Sequence, residues 1–399
     1  MTRAGMVCSG CGKQKPFTYE ELTCECGSTF LVDYDLEYVR KTLTQQSIVN
    51  RATTMWRYRE LLPVQSPQSI VSLGEGWTPL TPIDVSRIPL SIRKLWMKRE
   101  ELNPTGSFKS RGLSVAVSLL KERGIRRAAI ASNGNAGTAL AAYAGCAGID
   151  SIVFVPEDCP PLIIRECQRY GAHTFRVKGL IQHAGQWVES YKHIFDWTSV
   201  STLREPGRVE GKKTLGFELA EQLGWRLPTV IIYPTGGGSG IIGMWKAFKE
   251  LRELGFIQGP MPRFVSVQEI GCAPLVRALG KQVDSAEAAS PTGMRVPHPP
   301  DIVLLLRILK ETEGTAVAVS RGEIEEARRM LGNRGISASP EGAATWAGLL
   351  RLNEEGWFGQ DDQVVLFNTA HALPYETLAG TSNIPLLTNL HDLINTLRK

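Results

Sequence analysis

Val230-Ile231-Ile232-Tyr233-Pro234-Thr235-Gly236-Gly237-Gly238-Ser239-Gly240-Ile241 is the stretch on which the fold turns. Its first four residues are the β-branched and aromatic types that suit a buried strand. Over 241–255 apolar residues recur at helical spacing. Between the two lie four glycines in five positions. A strand that runs through such a loop into a helix is one βα unit of an open parallel sheet. The loop also indicates a ligand. Consecutive flexible N–H donors, the positive end of a helix dipole and hydroxyls at Thr235 and Ser239 make a phosphate cradle. It has neither the Gly-Lys-Ser/Thr ending of a nucleoside-triphosphate loop nor the spacing of a dinucleotide fingerprint, so a monophosphate is the natural ligand. A plain flexible loop is the ordinary alternative, but so many glycines are entropically costly without a purpose.

The same alternation extends in both directions. Short strand-like runs fall at 95–98, 128–131, 151–155, 173–177, 263–267 and 364–367, and helical spacing at 112–124, 136–148 and 162–171. The expected fold is α/β, with two open, mostly parallel-sheet domains whose ligands sit outside the carboxyl ends of the strands. The expected division is a small cysteine unit over 1–35, then a connector and first strands over 36–100, with one helix at 36–43. A domain over 101–207, a domain with the glycine loop over 208–385, and a C-terminal helix or tail over 386–399 follow.

The chain has 399 residues, of which 43% are hydrophobic and 21% charged, which supports large cores and excludes disorder as the main state. No apolar run is long enough to span a membrane, and the start is too short and polar for a secretory segment. The balance of 45 basic and 40 acidic residues, a net +5, is too mild to argue for nucleic acid and suits small anionic ligands. Eight cysteines without an export signal point to a reducing, cytoplasmic setting. Cys8, Cys11, Cys24 and Cys26 sit close enough in sequence to close a tetrahedral zinc site, although the second pair is C-x-C and ordinary reduced thiols are the alternative. Cys146, on a helix of small residues, is expected in the core.

Three further loops carry chemistry. Asn103-Pro104-Thr105-Gly106-Ser107-Phe108-Lys109-Ser110-Arg111-Gly112 joins a strand to a helix. Lys109 lies near the helix start, where amide donors and Arg111 are expected to add positive potential and favour the neutral amine that reacts with an aldehyde. Alone, it reads as a solvated surface lysine. Ser132-Asn133-Gly134-Asn135-Ala136-Gly137 offers a helix N-terminus to an anion and Asn amides to a ring oxygen, against a plain Asn-Gly turn. Asn368-Thr369 places a hydroxyl at a strand's carboxyl end, where a turn cap is the ordinary alternative. One aldehyde-phosphate cofactor, pyridoxal phosphate, unites an isolated lysine, a glycine cradle, an Asn loop and a strand-end hydroxyl.

With these residues in view, the chain resembles the threonine synthase branch of the fold-type II (tryptophan synthase β-like) pyridoxal-phosphate enzymes. The matching segments are Met55-Trp56-Arg57-Tyr58, Leu73-Gly74-Glu75-Gly76-Trp77-Thr78-Pro79-Leu80, Asn103 through Lys109, Gly134-Asn135-Ala136-Gly137, Arg208-Val209-Glu210-Gly211-Lys212-Lys213-Thr214, Pro234 through Gly240, and Ser339-Pro340-Glu341-Gly342-Ala343-Ala344. The resemblance implies that Lys109 is the Schiff-base lysine and proton shuttle, with Phe108 beside the cofactor. By the same match Asn135 bonds the cofactor's ring hydroxyl, and Gly236, Gly237, Gly238, Ser239 and Gly240 cradle its phosphate. Thr369 faces its pyridine nitrogen. Thr105, Ser132 and Asn133 fall near the substrate carboxylate, and Arg208 with Lys109 near a substrate phosphate. Some members also begin with a zinc ribbon, and members are commonly homodimers.

Two departures matter. The family's strand-end Asn-Thr-Gly-Ser-Gly-Leu-Lys-Tyr reads Asn368-Thr369-Ala370-His371-Ala372-Leu373-Pro374-Tyr375 here, and Thr202-Leu203 stands where some members carry an Asn-Ser phosphate-binding pair. The expected activity is conversion of O-phosphohomoserine and water to threonine and phosphate. The alternative is a Ser/Thr dehydratase, or a β-replacement enzyme such as a cysteate synthase-like protein using O-phosphoserine. A zinc-ribbon binder of nucleic acid or protein has only weak basicity in its favour. His371 is either a proton donor in the site or a packed, hydrogen-bonded histidine.

Overall fold

Strand-forming runs give thirteen strands in three sheets among the residues that the computed structural model describes, which are 4–19, 22–86, 88–283, 287–290 and 292–376. β1 (Ala4–Cys8), β2 (Gln14–Pro16) and β3 (Phe30–Tyr34) form an antiparallel sheet in the order β2-β1-β3. β3 buries Phe30, Leu31, Val32 and Tyr34, which join a core shared with the helices Gly207–Gln222 and Ser239–Glu253.

Ten strands follow: β4 (Leu80–Ile83), β5 (Lys94–Arg99), β6 (Arg127–Ala131), β7 (Asp150–Pro156), β8 (His173–Val177), β9 (Thr198–Ser199), β10 (Val230–Pro234), β11 (Arg263–Glu269), β12 (Thr315–Val319) and β13 (Gln363–Asn368). Six of them lie in the order β12-β11-β10-β13-β5-β4, parallel except for β4, which runs antiparallel to β5. The other four lie in the order β8-β7-β6-β9, all parallel. Parallel sheets are covered on both faces, so their strands read as short continuous apolar runs. β10 has all five residues buried. The seven strands expected from the sequence lie inside β5, β6, β7, β8, β10, β11 and β13, and the α/β class with parallel sheets holds.

Differences have physical causes. The helix expected from 112 begins at Lys109, and the one expected from 241 begins at Ser239. In both, the opening residues, Lys109-Ser110-Arg111 and Ser239-Gly240, are largely buried but polar or glycine, and so show no apolar spacing. The helix Gly207–Gln222 is not evident in the sequence because it is buried nearly all round and carries Arg208, Glu210, Lys212, Lys213 and Glu218 inside, which removes the usual one-sided stripe. Cys146 is exposed, a correction to its expected core position: it lies in the last turn of the helix Asn135–Ala147, beyond the buried stretch that ends at Ala144. The C-terminal helix or tail expected over 386–399 lies outside the described residues, as does the end of the segment expected over 208–385. Among the described residues no helix is long and apolar enough to cross a membrane.

Arg111 is wholly buried and does not face the loop chemistry as expected. Its guanidinium bonds Glu100 at 2.7 Å and Glu218 at 2.5 and 2.7 Å. Lys98 also donates to Glu218, at 2.9 Å. Burial raises the Glu218 carboxyl, but Arg111 and Lys98 outweigh it and hold it down at about 2. This charge cluster joins β5, the helix Lys109–Glu122 and the helix Gly207–Gln222, at either end of the loop that runs from the sheet to Lys109.

Candidate active site

The loops after β6, β10 and β13 converge, with the start of the helix Lys109–Glu122, on a cavity of about 560 Å³. From the first of these loops come Ser132, Asn133 and Asn135, and from the second Gly236, Gly237, Gly238, Ser239 and Gly240. Thr369 enters from the third, Phe108 and Lys109 from the helix start, and Arg208 from the helix Gly207–Gln222. Twelve of the thirteen expected cofactor and substrate residues therefore line one cavity. Thr105 does not. Its hydroxyl is 2.7 Å from Ser110 Oγ, and it lines a neighbouring cavity of about 520 Å³ that shares Asn135. His371 lines that second cavity too, with Nδ1 accepting the Leu373 amide at 3.1 Å and lying 3.5 Å from Ser337 Oγ.

The Lys109 amine opens onto the main cavity, 4.4 Å from the Phe108 ring centre. Burial first, then the Arg208 guanidinium, bring its pKa down to about 8, against an opposing pull from Glu341. The expected depression is present, but Arg208 supplies the charge, not Arg111. Arg208 is 1% exposed and donates to Val200 O at 2.5 Å and Thr202 Oγ1 at 3.3 Å, leaving Nε without a partner. Burial lowers its pKa to about 10.

Two positions of the glycine loop require glycine. A Cβ at Gly236 would collide with the Gly293 carbonyl oxygen, and Gly238 has φ +75 as the residue before the helix Ser239–Glu253. Asn135 is the first residue of its helix and donates to Tyr375 OH at 2.8 Å. That hydroxyl donates to Glu341 Oε1 at 2.9 Å, which also accepts the Gly293 amide at 2.7 Å. Ser132 Oγ accepts the amides of Gly134 and Gly137, both at 3.0 Å, and so shapes its own loop. Asn133 donates to the Thr292 and Arg295 carbonyls at 3.2 and 3.1 Å and keeps a buried Oδ1 without a partner. Thr369 is 3% exposed, and its carbonyl accepts the Phe108 amide at 3.0 Å, which ties β13 to the lysine loop.

Four residues of this neighbourhood have no role assigned from sequence. Glu341 and Tyr375 lie in quoted motifs and form the chain just described. Glu205 caps the helix Gly207–Gln222 through the amides of Gly207 and Arg208 at 2.7 and 2.6 Å, and burial raises its carboxyl to about 7. Lys212, in the run Arg208–Thr214, donates to Ser239 Oγ at 2.6 Å. Membership of a motif is the available signal for all but Glu205.

A depressed amine suits an aldehyde, and a glycine loop at a helix start suits a phosphate. Orphaned buried atoms such as Asn133 Oδ1, Arg208 Nε and Tyr233 OH suit a polar guest. A protein-family model described as "Pyridoxal-phosphate dependent enzyme" matches residues 71–370. The chain belongs to the pyridoxal-phosphate dependent enzymes. Within them it is threonine synthase-like. The threonine synthase of Methanocaldococcus jannaschii is 35% identical over 92% of each chain. That of Methanosarcina acetivorans is 33% identical over 92% of this chain and 91% of its own. Among solved structures, maize serine racemase aligns at 20% identity with a TM-score of 0.63, covering 76% of this chain and 91% of its own. The processed form of threonine deaminase isoform 2 from Solanum lycopersicum aligns at 19% identity with a TM-score of 0.60, covering 80% of this chain and 82% of its own. These two likenesses are of fold. This pyridoxal-phosphate dependent enzyme is a lyase of that fold type, and the residues of its cavity fit the cofactor.

The four N-terminal cysteines form a second cluster. Their Sγ atoms all lie within 4.8 Å of one another, with Cys8–Cys26 at 3.4 Å and Cys11–Cys24 at 3.7 Å. A tetrahedron of thiolates about 2.3 Å from zinc has edges of about 3.8 Å, so the cluster has the right size. Asp301 holds this unit, accepting the Thr29 amide at 3.0 Å while capping the helix Ile302–Glu311 through Leu304 N at 2.9 Å.

Proposed function

We propose that this enzyme converts O-phosphohomoserine and water to threonine and phosphate. The observation that carries the reading is the buried guanidinium of Arg208, beside the Lys109 amine in a cavity roomy enough for cofactor and substrate together. Relatives named threonine synthase along nearly the whole chain support it. When bound, pyridoxal phosphate supplies an aldehyde carbon for the lysine and a ring that takes up negative charge from the substrate's Cα. Lys109, its pKa lowered to about 8, takes and returns protons at Cα and Cβ. Gly236, Gly237, Gly238, Ser239 and Gly240 hold the cofactor's phosphate, and Phe108 flanks its site. Asn135 turns its amide to the ring hydroxyl. Thr369 offers a neutral hydroxyl to the ring nitrogen, which limits how far that nitrogen is protonated. Ser132 and Asn133 orient the substrate carboxylate, with Thr105 approaching from the neighbouring cavity. Arg208 holds the phosphate that departs from Cγ.

Release of phosphate and threonine from O-phosphohomoserine by the purified holoenzyme tests this, and absence of both products overturns it. Leu203, buried at 4% exposure, favours a second reading, because it adds no polar group to the phosphate side of the cavity. On that reading the enzyme dehydrates serine or threonine, or replaces the β-substituent of O-phosphoserine. A panel of these substrates, followed by oxoacid and amino-acid analysis, separates the two.

Cys8, Cys11, Cys24 and Cys26 are proposed to hold a structural zinc, read by metal analysis as one zinc per chain. A homodimer in the cytoplasm belongs to the same reading, with sedimentation reporting the first. So does a division into a ribbon over 1–35, a connector over 36–100, and cofactor-binding domains over 101–207 and 208–385.

A further inference from the structure

Lys212 is a buried lysine without a carboxylate. Lys98 pairs with Glu218 at 2.9 Å, and Lys213 with Glu210 and Glu250 at 2.6 and 2.9 Å. Lys246 pairs with the same two acids. Lys212, 1% exposed, forms no ion pair with a described residue. Its Nζ donates to Ser239 Oγ at 2.6 Å and stands 5.5 Å from the Phe108 ring centre. It therefore sits behind the glycine loop, one hydroxyl away from the cavity.

Every other group facing it leaves the charge uncompensated. The helix Ser239–Glu253 presents its positive end. Lys109 on the helix Lys109–Glu122 and Arg208 on its own helix are cations. Glu205, the acid that acts on it, is already committed to two helix amides. Burial first, then Arg208 and Lys109, push the Lys212 amine well below its ordinary range. A bare buried ammonium is costly, while a neutral amine would do nothing that a glutamine could not.

We propose that Lys212 is the counter-charge for the cofactor's phosphate, taking up a proton from solvent when that dianion enters the glycine loop. An ammonium has only hydrogens to offer, so it donates to Ser239 Oγ and turns the Ser239 hydrogen into the loop. Lys212 is thus a positioning residue that acts through Ser239 and through its charge. The inference rests on the cofactor assignment.

The test titrates apoenzyme with pyridoxal phosphate and with pyridoxal, which has the same ring and aldehyde but no phosphate, by absorbance. Lys212→Gln keeps a donor to Ser239 and removes the charge, and Lys212→Arg keeps the charge. The expected result is a tenfold or greater loss of pyridoxal phosphate affinity in Lys212→Gln, with pyridoxal affinity changed less than twofold and most of the loss restored in Lys212→Arg. Calorimetry in two buffers of different ionisation enthalpy should show the wild type taking up about one proton more than Lys212→Gln on binding pyridoxal phosphate near neutral pH. Equal losses for both ligands, no loss for pyridoxal phosphate, or equal proton uptake overturns the proposal. Should Lys212→Gln not fold, the wild type still decides. Its affinity for pyridoxal phosphate relative to pyridoxal must fall as pH rises, because the ratio cancels Lys109, and a flat ratio overturns the proposal. A wild type that takes up no pyridoxal phosphate removes the cofactor assignment itself, whereas uptake that is indifferent to Lys212 removes this inference alone.

Discussion

Lys109 begins a helix with its amine recessed in a cavity, and two neighbouring effects set its charge. With a pKa of about 8, roughly one amine in ten is neutral at pH 7, against about three in ten thousand for an ordinary lysine. Capture of pyridoxal phosphate by apoenzyme should therefore rise with pH and reach half its plateau near pH 8, as read by stopped-flow absorbance. Arg208→Leu removes one of the two causes, so the midpoint should move upward. Lys109→Ala should fold but show no absorbance band from a lysine-bound cofactor. Tyr375 makes a different prediction. Its hydroxyl joins Asn135 to Glu341, and a net hydrogen bond of this kind contributes about 1 kcal/mol. Tyr375→Phe should weaken cofactor binding by about fivefold and leave the melting temperature nearly unchanged.

Among the elements, the cluster of Glu100, Arg111, Glu218 and Lys98 controls how the lysine helix sits on the sheet. Arg111→Met leaves two buried carboxylates short of a partner, at a cost of about 3–5 kcal/mol, which a urea titration would read as a lower midpoint. Glu218 is held below its unfolded value, so its contribution is complete above about pH 4.5 and is lost as pH falls toward about 2. The destabilisation by Glu218→Gln should shrink over that same window. Such clusters also mark the limit of what the sequence shows. Strands with continuous apolar runs, such as β10 and β13, are legible, as are the loops at their carboxyl ends, because glycine and asparagine announce special backbone. The helix Gly207–Gln222 is not, since a helix with its charges inside has no apolar stripe. Lys109, Asn135 and the glycine cradle can be read from local chemistry. Glu341 and Tyr375 cannot, because they reach the cavity by tertiary folding from the far side of the chain. Arg111 misleads because its sequence proximity to Lys109 says nothing of the acids that claim it.

Across the whole molecule, the cavity draws on loops from both parallel sheets, so ligand binding should stabilise the chain as a unit. At a hundredfold excess over the dissociation constant, pyridoxal phosphate should add about 2.7 kcal/mol, visible as a melting temperature that rises with cofactor concentration. The cysteine unit should respond to metal instead of to the cofactor. On the zinc site proposed for it, a strong chelator should lower the melting temperature, and readdition of zinc should restore it. Asp301 gives this unit a further consequence. One carboxylate both starts the helix Ile302–Glu311 and clasps the backbone of the ribbon at Thr29. Loosening the cysteine unit should therefore fray that helix start and uncover Leu203 and Val209, which share a core with Phe30 and Leu31. In a cell this becomes a matter of lifespan. Metal-starved enzyme should present cleavable chain to proteases at both places, and limited proteolysis should find early cuts near residue 29 and again near residue 301, protected together when zinc is supplied.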